Sequence, residues 1–401
     1  MFEVRPCRDR EEFGLALHGI GQYFGGPAKE DQLERFTQIL PVERMHSAWE
    51  DGRIVGGAGA FPYELSVPGG ELRCGGVTVV GVYPTDRRRG VLRRMMDAQL
   101  CDIHERGEPI AALWASEETI YGRFGYGLAS WCGAVKIDRA WNRFAQPLER
   151  QGRTRFVTSE EAFEQFPPVW EALMRERPGV FRRSDAWWQL RRLRLPEAEE
   201  ANPKRFVALE LDGAVQGYAI YRQFPEFADG VNKGRLEVQE AVGATPQATA
   251  EIWRFLLDVD WYGTLEVGLL PPDHPLFLLL ANPRRATYRM GDGLWVRLVD
   301  VGAALSGRAY GGDGSVVVDV RDAVCEWNEG RWRVSAEGTS RTDDAAELAL
   351  DVSALGSAFL GAISFGELWR AGRVEELADG AVRRADTLFA WRPLPWCPEI
   401  F

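Results

Sequence analysis

Val77-Thr-Val-Val-Gly-Val-Tyr-Pro-Thr-Asp-Arg-Arg-Arg-Gly-Val-Leu-Arg-Arg-Met-Met96 is the stretch from which the rest of the chain can be read. Its apolar start, residues 77–82, has the composition of a β-strand, and Pro84 stops it. Arg87, Arg88, Arg89 and Gly90 then make a cationic turn. Beyond it Val91, Leu92, Met95, Met96 and Leu100 recur at three-to-four spacing, the apolar face of an amphipathic helix. A strand, a basic Gly-containing turn and a helix N-terminus together form an anion cradle. Backbone N–H groups point outward, the helix dipole is positive there, and the guanidinium groups add full charge. A ligand suited to such a cradle carries a phosphate or pyrophosphate.

Around this stretch, residues 1–150 alternate strand and helix. A short strand is predicted over residues 2–5, and helices over 9–24 and 29–38. Asp51-Gly52 is a strong hairpin turn between strands at 48–50 and 54–61. A second turn, Pro68-Gly69-Gly70, separates strands at 63–67 and 71–74. Residues 110–115 form an apolar strand. Ser116 is placed to cap the helix that follows, with Glu117 and Glu118 in its positive first turn.

Residues 151–295 read as a second α/β unit. Helices are predicted over 159–171, 184–193 and 248–259, and strands over 205–211, 216–224, 234–242 and 264–270. The order of elements echoes the first unit. Its counterpart of the cationic turn, Val242-Gly-Ala-Thr-Pro-Gln, has no arginines, so this is read as a duplicated fold that has lost its ligand site. A third region, residues 296–401, has alternating strands at 315–320, 331–336 and 347–352 and short helices at 355–360 and 365–371.

The 401 residues are enough for several buried cores, and the net charge of −11 argues against general nucleic-acid binding. The cysteines, Cys7, Cys74, Cys101, Cys132, Cys325 and Cys397, form no CxxC pair and only four histidines accompany them, so no metal site is expected. Scattered single cysteines fit a reducing compartment. No apolar run approaches a membrane span, and Met1-Phe-Glu-Val-Arg-Pro is not a signal-peptide start. A cytoplasmic location is the expectation, with leaderless export compatible with the same sequence.

Arg87-Arg88-Arg89-Gly90-Val91-Leu92 resembles the pyrophosphate-binding signature of the GNAT superfamily of acyl-CoA-dependent N-acyltransferases, Arg/Gln-x-x-Gly-x-Gly/Ala, with Leu92 departing from the final small residue. Pro-Thr-x-Arg-Arg-Arg-Gly followed by two aliphatic residues is similar to one branch, the Eis (enhanced intracellular survival) acetyltransferases. The resemblance extends over essentially the whole chain. It includes Tyr121-Gly-Arg-Phe-Gly-Tyr-Gly127, the Asp292-Gly-Leu-Trp-Val-Arg297 linker and a terminal Phe401.

That resemblance implies an α/β (α+β) architecture: a catalytic GNAT domain at 1–150, a degenerate GNAT-like domain at 151–295, and a sterol-carrier-like domain at 296–401. It implies acetyl-CoA as co-substrate, a primary amine as acceptor (aminoglycoside, polyamine or lysine-type) and a homo-oligomer, a hexamer in this branch. Backbone amides from Arg88 to Arg93, thus including Arg89, Gly90, Val91 and Leu92, would hold the pyrophosphate, with arginine side chains adding charge-assisted bonds. Val80, Gly81 and Val82 would pair with the pantetheine amides through a bulge for which Gly81 is the plausible residue. Ser116 and Glu117 would lie near the thiol-bearing arm. Tyr121 falls on the family tyrosine beside the thioester sulfur, and a phenol with pKa about 10 can give a proton to a departing thiolate of about 8.5. Tyr126 reads as packing. No Ser-His-Asp or Cys-His pattern offers a base, and the resemblance to the Eis branch implies that the Phe401 carboxylate takes that part. Tyr23, Phe24 and Phe36 are candidate aromatic walls for the acceptor, with Glu399 near the terminus. No acid occurs in Gly21-Gln-Tyr-Phe-Gly25 to face a cationic sugar.

Two other readings compete. A degenerate second domain and a sterol-carrier-like third could make a non-catalytic acyl-CoA or lipid carrier, against which the intact Tyr121 and cationic turn both argue. A Rossmann dehydrogenase fails because no G-x-G-x-x-G follows a strand with an acid about 20 residues on.

Overall fold

Seven strands build the sheet that carries the cationic turn. The computed structural model describes residues 2–23, 26, 29–195 and 201–401. β1 (Glu3–Pro6), β2 (Met45–Glu50), β3 (Arg53–Val67), β4 (Gly70–Val82), β5 (Ile110–Trp114) and β6 (Gly127–Leu128) lie in the order β1-β2-β3-β4-β5, then Leu294–Leu298, then β6. The Asp51-Gly52 and Gly69 turns join β2–β3 and β3–β4 as antiparallel hairpins, as their composition predicts. β4 is one continuous strand rather than two. Gly75 and Gly76 do not interrupt it, since both pair with β3 and β5, and Ile103 and the Tyr63 ring occupy the space their side chains would need.

Helices cover this sheet. α1 (Arg10–Gly21) is capped by Asp9, whose carboxylate accepts from the Glu12 N–H at 2.9 Å, and α2 (Glu30–Ile39) follows. Phe24 lies outside the described residues. α3 (Val91–Glu105) buries Val91, Met95, Met96 and Leu100 of the stripe its spacing predicts, and Ile103 beyond it, while Leu92 is half-buried and lines the cavity described below. α3 is the crossover between β4 and β5, which are parallel. After β5 the chain makes only one helical turn, α4 (Glu118–Tyr121). Its N-cap is Glu117 without a side-chain bond, so Ser116 does not cap it.

The chain falls into two compact units. One unit comprises 1–130, 294–392 and 400–401, the other 131–293 and 393–399. The second sheet has the order Thr287–Asp292, Trp131–Asp138, Thr264–Leu270, Arg235–Gly243, Ala214–Phe224, Arg205–Leu211, Arg153–Val157. Its parallel pair, Arg235–Gly243 with Thr264–Leu270, is joined by the helix Pro246–Asp258, matching β4-α3-β5. Trp131–Asp138, placed by sequence within 1–150, occupies in the second sheet the position that Leu294–Leu298 occupies in the first. Each sheet thus takes that strand from the far side of the other's sequence. Periodicity cannot show this, because strand composition does not name a strand's partner.

The remaining residues of the first unit form a five-stranded sheet ordered Gly338–Arg341, Gly330–Ser335, Ser315–Arg321, Leu348–Asp351, Val374–Glu376. Helices Val352–Phe359 and Ala381–Phe389 accompany it, the latter not foreseen from sequence. The buried Arg308 donates to the carbonyls of Phe359 (2.5 Å) and Phe389 (3.0 Å), where those two helices end. No described helix is long and apolar enough to cross a membrane.

Candidate active site

β4 is paired on both sides only over Cys74–Gly76. Its parallel ladder with β5 runs from Cys74–Ile110 to Gly76–Ala112 and stops, so the two strands separate beyond Val77. On the β3 side the register slips: Gly57 faces Gly81 and Gly59 faces Thr78, leaving one extra residue in β4. That is a β-bulge. Val79, with φ of 47°, carries it, not Gly81 as read from sequence. Gly81 is small for another reason. A Cβ there would stand 2.5 Å from the Ile20 nitrogen, so glycine is what lets α1 lie on the strand.

The cationic turn is organised from beneath by a buried acid. Asp86, 1% exposed, accepts from Arg53 at 2.6 and 3.1 Å and from Arg89 at 3.2 Å. The Arg53 guanidinium holds its carboxyl below the usual carboxylate range. Arg89 also donates twice to Glu50, at 2.7 and 2.8 Å. Its side chain therefore braces the turn and does not line the main cavity; what remains to it as an anion ligand is its backbone. Arg87 lies over the Tyr23 ring at 5.6 Å. Arg88 takes the left-handed conformation at φ 61°, and among the described residues no ion pair holds it. Gly90, at φ 89°, is the N-cap of α3 and supplies no side chain, leaving first-turn N–H groups uncapped. The corresponding helix of the second unit is closed: Thr245 Oγ1 accepts from Ala248 N–H at 3.1 Å, and Pro246 has no N–H to offer.

A cavity of about 630 Å³ opens along the bare edge of β4. Its lining includes Val80, Gly81, Val82, Arg87, Arg88, Gly90, Val91, Leu92, Arg93, Ser116, Glu117 and Tyr121. Ile20, Asp86, Thr119, Ile120, Arg123 and Phe124 line it too and were missed from sequence. Arg123, two residues past Tyr121 in the family motif, was the readable one of these. Tyr23 lines the same cavity, with its hydroxyl donating to the Val82 carbonyl at 3.0 Å, so it stands at the arginine end and not as an acceptor wall.

Tyr121 is 7% exposed. Burial, with Glu117 nearby, pushes its phenol up to about 12. Its ring meets Tyr126 edge-on at 5.9 Å. Tyr126 is fully buried, the packing role its place in the motif predicts.

Residues 3–129 and 179–298 each match an acetyltransferase (GNAT) domain family, and residues 301–398 match a sterol carrier protein domain family. An uncharacterised N-acetyltransferase of Streptomyces avermitilis is 38% identical over 100% of this chain and 99% of its own length. N-acetyltransferase Eis of Mycobacterium tuberculosis is 34% identical, over 84% of this chain and 83% of its own. The crystal structure of Eis1 from Mycobacterium abscessus superposes with a TM-score of 0.89 at 31% identity, covering both chains completely.

The chain belongs to the Eis branch of the GNAT N-acetyltransferases.

It is therefore an acyltransferase, with two GNAT domains and a sterol-carrier-like domain, and its GNAT domains imply acetyl-CoA as co-substrate. A GCN5-related N-acetyltransferase of Anabaena variabilis shares the fold at a TM-score of 0.86 and 19% identity. In this Eis-type chain the terminal residue is ordered among aromatics. The Phe401 ring stands edge-on to Tyr63 at 5.1 Å and to Phe61 at 6.4 Å, and Phe61 meets Phe36 at 5.9 Å. Phe36, a candidate wall from sequence, stands in this aromatic cluster; Phe61 and Tyr63 were not named from sequence, and their alternation along β3 was the available signal. Phe401 is not among the residues lining the large cavity. Glu399 is no part of an acceptor wall either. It is 6% exposed, paired with Arg183 at 2.7 Å and Arg192 at 3.5 Å, and accepts from Trp187 Nε1 at 3.0 Å.

Proposed function

We propose that the chain transfers acetyl from acetyl-CoA directly to a primary amine in a ternary complex, and that the acceptor is a small cationic amine of the aminoglycoside, polyamine or lysine type. One observation carries this reading: the uncapped α3 N-terminus, the bare edge of β4 and the Tyr121 side chain all face one cavity of about 630 Å³. The residues fit an acyl-CoA. Uncapped N–H groups of Val91–Arg93, with Arg88, suit a diphosphate. The edge of β4 that β5 leaves bare beyond Gly76 suits the amides of a pantetheine arm laid alongside as an added strand over Val80 to Val82. Ser116 and Glu117 stand where that arm passes.

In this reading β4 holds the thioester so that the amine meets its carbonyl in an attack geometry, and proximity accounts for much of the rate. The new C–N bond forms as the C–S bond breaks. Tyr121 gives its proton to the departing sulfur; the burial that raises its pKa keeps it protonated until then. The Phe401 carboxylate takes the proton lost by the ammonium, directly or through water, with the aromatic contacts of its ring holding the terminus in place.

The test is incubation with acetyl-CoA, a thiol reagent and a panel of amines containing aminoglycosides, polyamines and lysine derivatives. Thiol release with stoichiometric N-acetylation of at least one cationic amine is expected. Tight acetyl-CoA binding without thiol release for any amine would favour the carrier reading instead.

A further inference from the structure

The last residue of the Asp292–Arg297 motif lies against the turn that follows Tyr121. Arg297, on the Leu294–Leu298 strand, is completely buried. Its Nη2 donates to both carboxylate oxygens of Asp322, at 2.8 and 2.6 Å, and its Nη1 to the Leu298 carbonyl at 2.7 Å. Asp322 belongs to the sterol-carrier-like domain and is itself 1% exposed. Its carboxylate also accepts from the N–H groups of Val324 (3.2 Å) and Cys325 (3.0 Å) and from Asn328 Nδ2 (2.9 Å). The acid is saturated, so the guanidinium plane is held on one side by a rigid partner.

The other edge of that plane faces Gly125. A Cβ on Gly125 would stand 2.6 Å from Arg297 Nε and 2.8 Å from its Cζ, and 2.9 Å from Val352 of the sterol-carrier-like domain. Gly125 takes the left-handed conformation at φ 82° and closes the turn that follows α4, its N–H donating to Gly122 O at 3.0 Å. Tyr126 N–H returns to the Tyr121 carbonyl at 3.3 Å. Tyr121, Phe124 and Tyr126 share one core with Val299 and Cys325, the residues flanking the ion pair. The neighbouring strand residue Val296 pairs with Gly127. The turn carrying Tyr121 is therefore seated on Arg297 from below and stitched to its strand beyond.

A buried ion pair is a poor source of stability, because apolar residues of the same volume often serve as well. What a planar, doubly anchored guanidinium adds is a fixed surface. We infer that Arg297, clamped by Asp322, is a positioning residue for Tyr121: it sets the Gly125 turn and with it the direction of the phenol into the cavity. The inference deepens the proposed function and rests on Tyr121 as the general acid. It also gives the sterol-carrier-like domain a part in acetyl transfer, since that domain supplies Asp322 and Val352.

The experiment is a double-mutant cycle in the full chain. Arg297→Lys keeps the charge and loses the fork; Asp322→Asn keeps the shape and loses the charge. Each is expected to lower kcat at least tenfold while the acetyl-CoA dissociation constant stays within twofold. In a Tyr121→Phe background the same substitutions are expected to change kcat less than twofold, because a positioning residue has nothing left to position. Unchanged kcat in either folded single variant overturns the inference. So does an equal loss in both backgrounds, which marks general loosening and leaves the Tyr121 reading standing. Full turnover by Tyr121→Phe alone removes the acid and the inference together. If both variants fold poorly, 3-fluorotyrosine at position 121 decides by fluorine NMR on Val352→Ala, which trims the other contact at Gly125. A shifted or broadened resonance with intact coenzyme binding supports a seated turn, and a wild-type spectrum overturns it.

Discussion

Tyr121 and Gly90 show how much hangs on single residues here. Tyr121→Phe is expected to lower kcat by about 10²–10⁴-fold, the usual worth of a general acid, with the coenzyme dissociation constant unchanged by calorimetry. Because burial pushes the phenol up to about 12, it is protonated at all neutral and moderately alkaline pH. Any fall in kcat that Tyr121 ionisation causes therefore belongs above about pH 11 in a pH–rate profile, and a Tyr121-dependent limb near pH 8 would contradict the assignment. Gly90→Ala puts a Cβ on a residue at φ 89°, a conformation that costs a non-glycine residue about 1–2 kcal/mol. Either the protein loses that much stability in urea titration or the turn relaxes and acetyl-CoA binding weakens about tenfold. Gly90 and Tyr121 were legible in sequence because both sit in short contiguous motifs. Val79 was not: a β-branched residue does not advertise a positive φ, and only the mismatch between β3 and β4 reveals it.

At the scale of elements, the difference between the two GNAT domains comes down to how each crossover helix begins. α3 starts on a glycine with open N–H groups, and its counterpart starts on Thr245 and Pro246 with the first turn closed. Arg88→Ala, which removes a cavity-lining arginine that no carboxylate holds among the described residues, is expected to raise the acetyl-CoA dissociation constant about tenfold, the scale of one charge-assisted hydrogen bond, with a weaker effect at high salt. Arg89→Ala acts differently, because that side chain is bound to Glu50 and Asp86. Its loss frees the turn without removing a ligand arm, and a smaller rise, measured by the same titration, is expected. The strand, turn and helix were each readable from composition and spacing. Which arginines face the cavity and which brace the turn was not, because three consecutive residues of one type carry no label for direction.

For the whole molecule, charge placed in the interior governs the response to acid. Burial holds His46 down to about 4 and His274 down to about 3, so both are neutral when folded and near 6.5 when unfolded. A depressed folded pKa contributes stability that is complete above about pH 6.5 and is lost as pH falls toward the folded values. Each histidine then costs up to about 1.4 kcal/mol per pH unit between about pH 6 and 4. Urea unfolding across that range is expected to show this decline, and His274→Asn is expected to flatten it. Glu399→Gln leaves Arg183 buried with one acidic partner fewer beside Glu240, and a loss of about 3–5 kcal/mol is expected by the same method. From sequence Glu399 was only an acid near the terminus; the arginines that claim it lie about 200 residues earlier.

By itself, the sequence determined the duplicated α/β plan, the hairpin turns, the amphipathic crossover helices and the cationic turn. All of these are dictated by backbone preference and periodicity over a few residues. Only the tertiary structure decided the exchange of Trp131–Asp138 and Leu294–Leu298 between the sheets, the bulge at Val79, the capture of Glu399 and the seat that Arg297 makes for Gly125. Each of these is set by what packs against a residue from far along the chain, through ladder pairing, steric fit or the need of a buried charge for its partner, and local spacing holds no record of such partners.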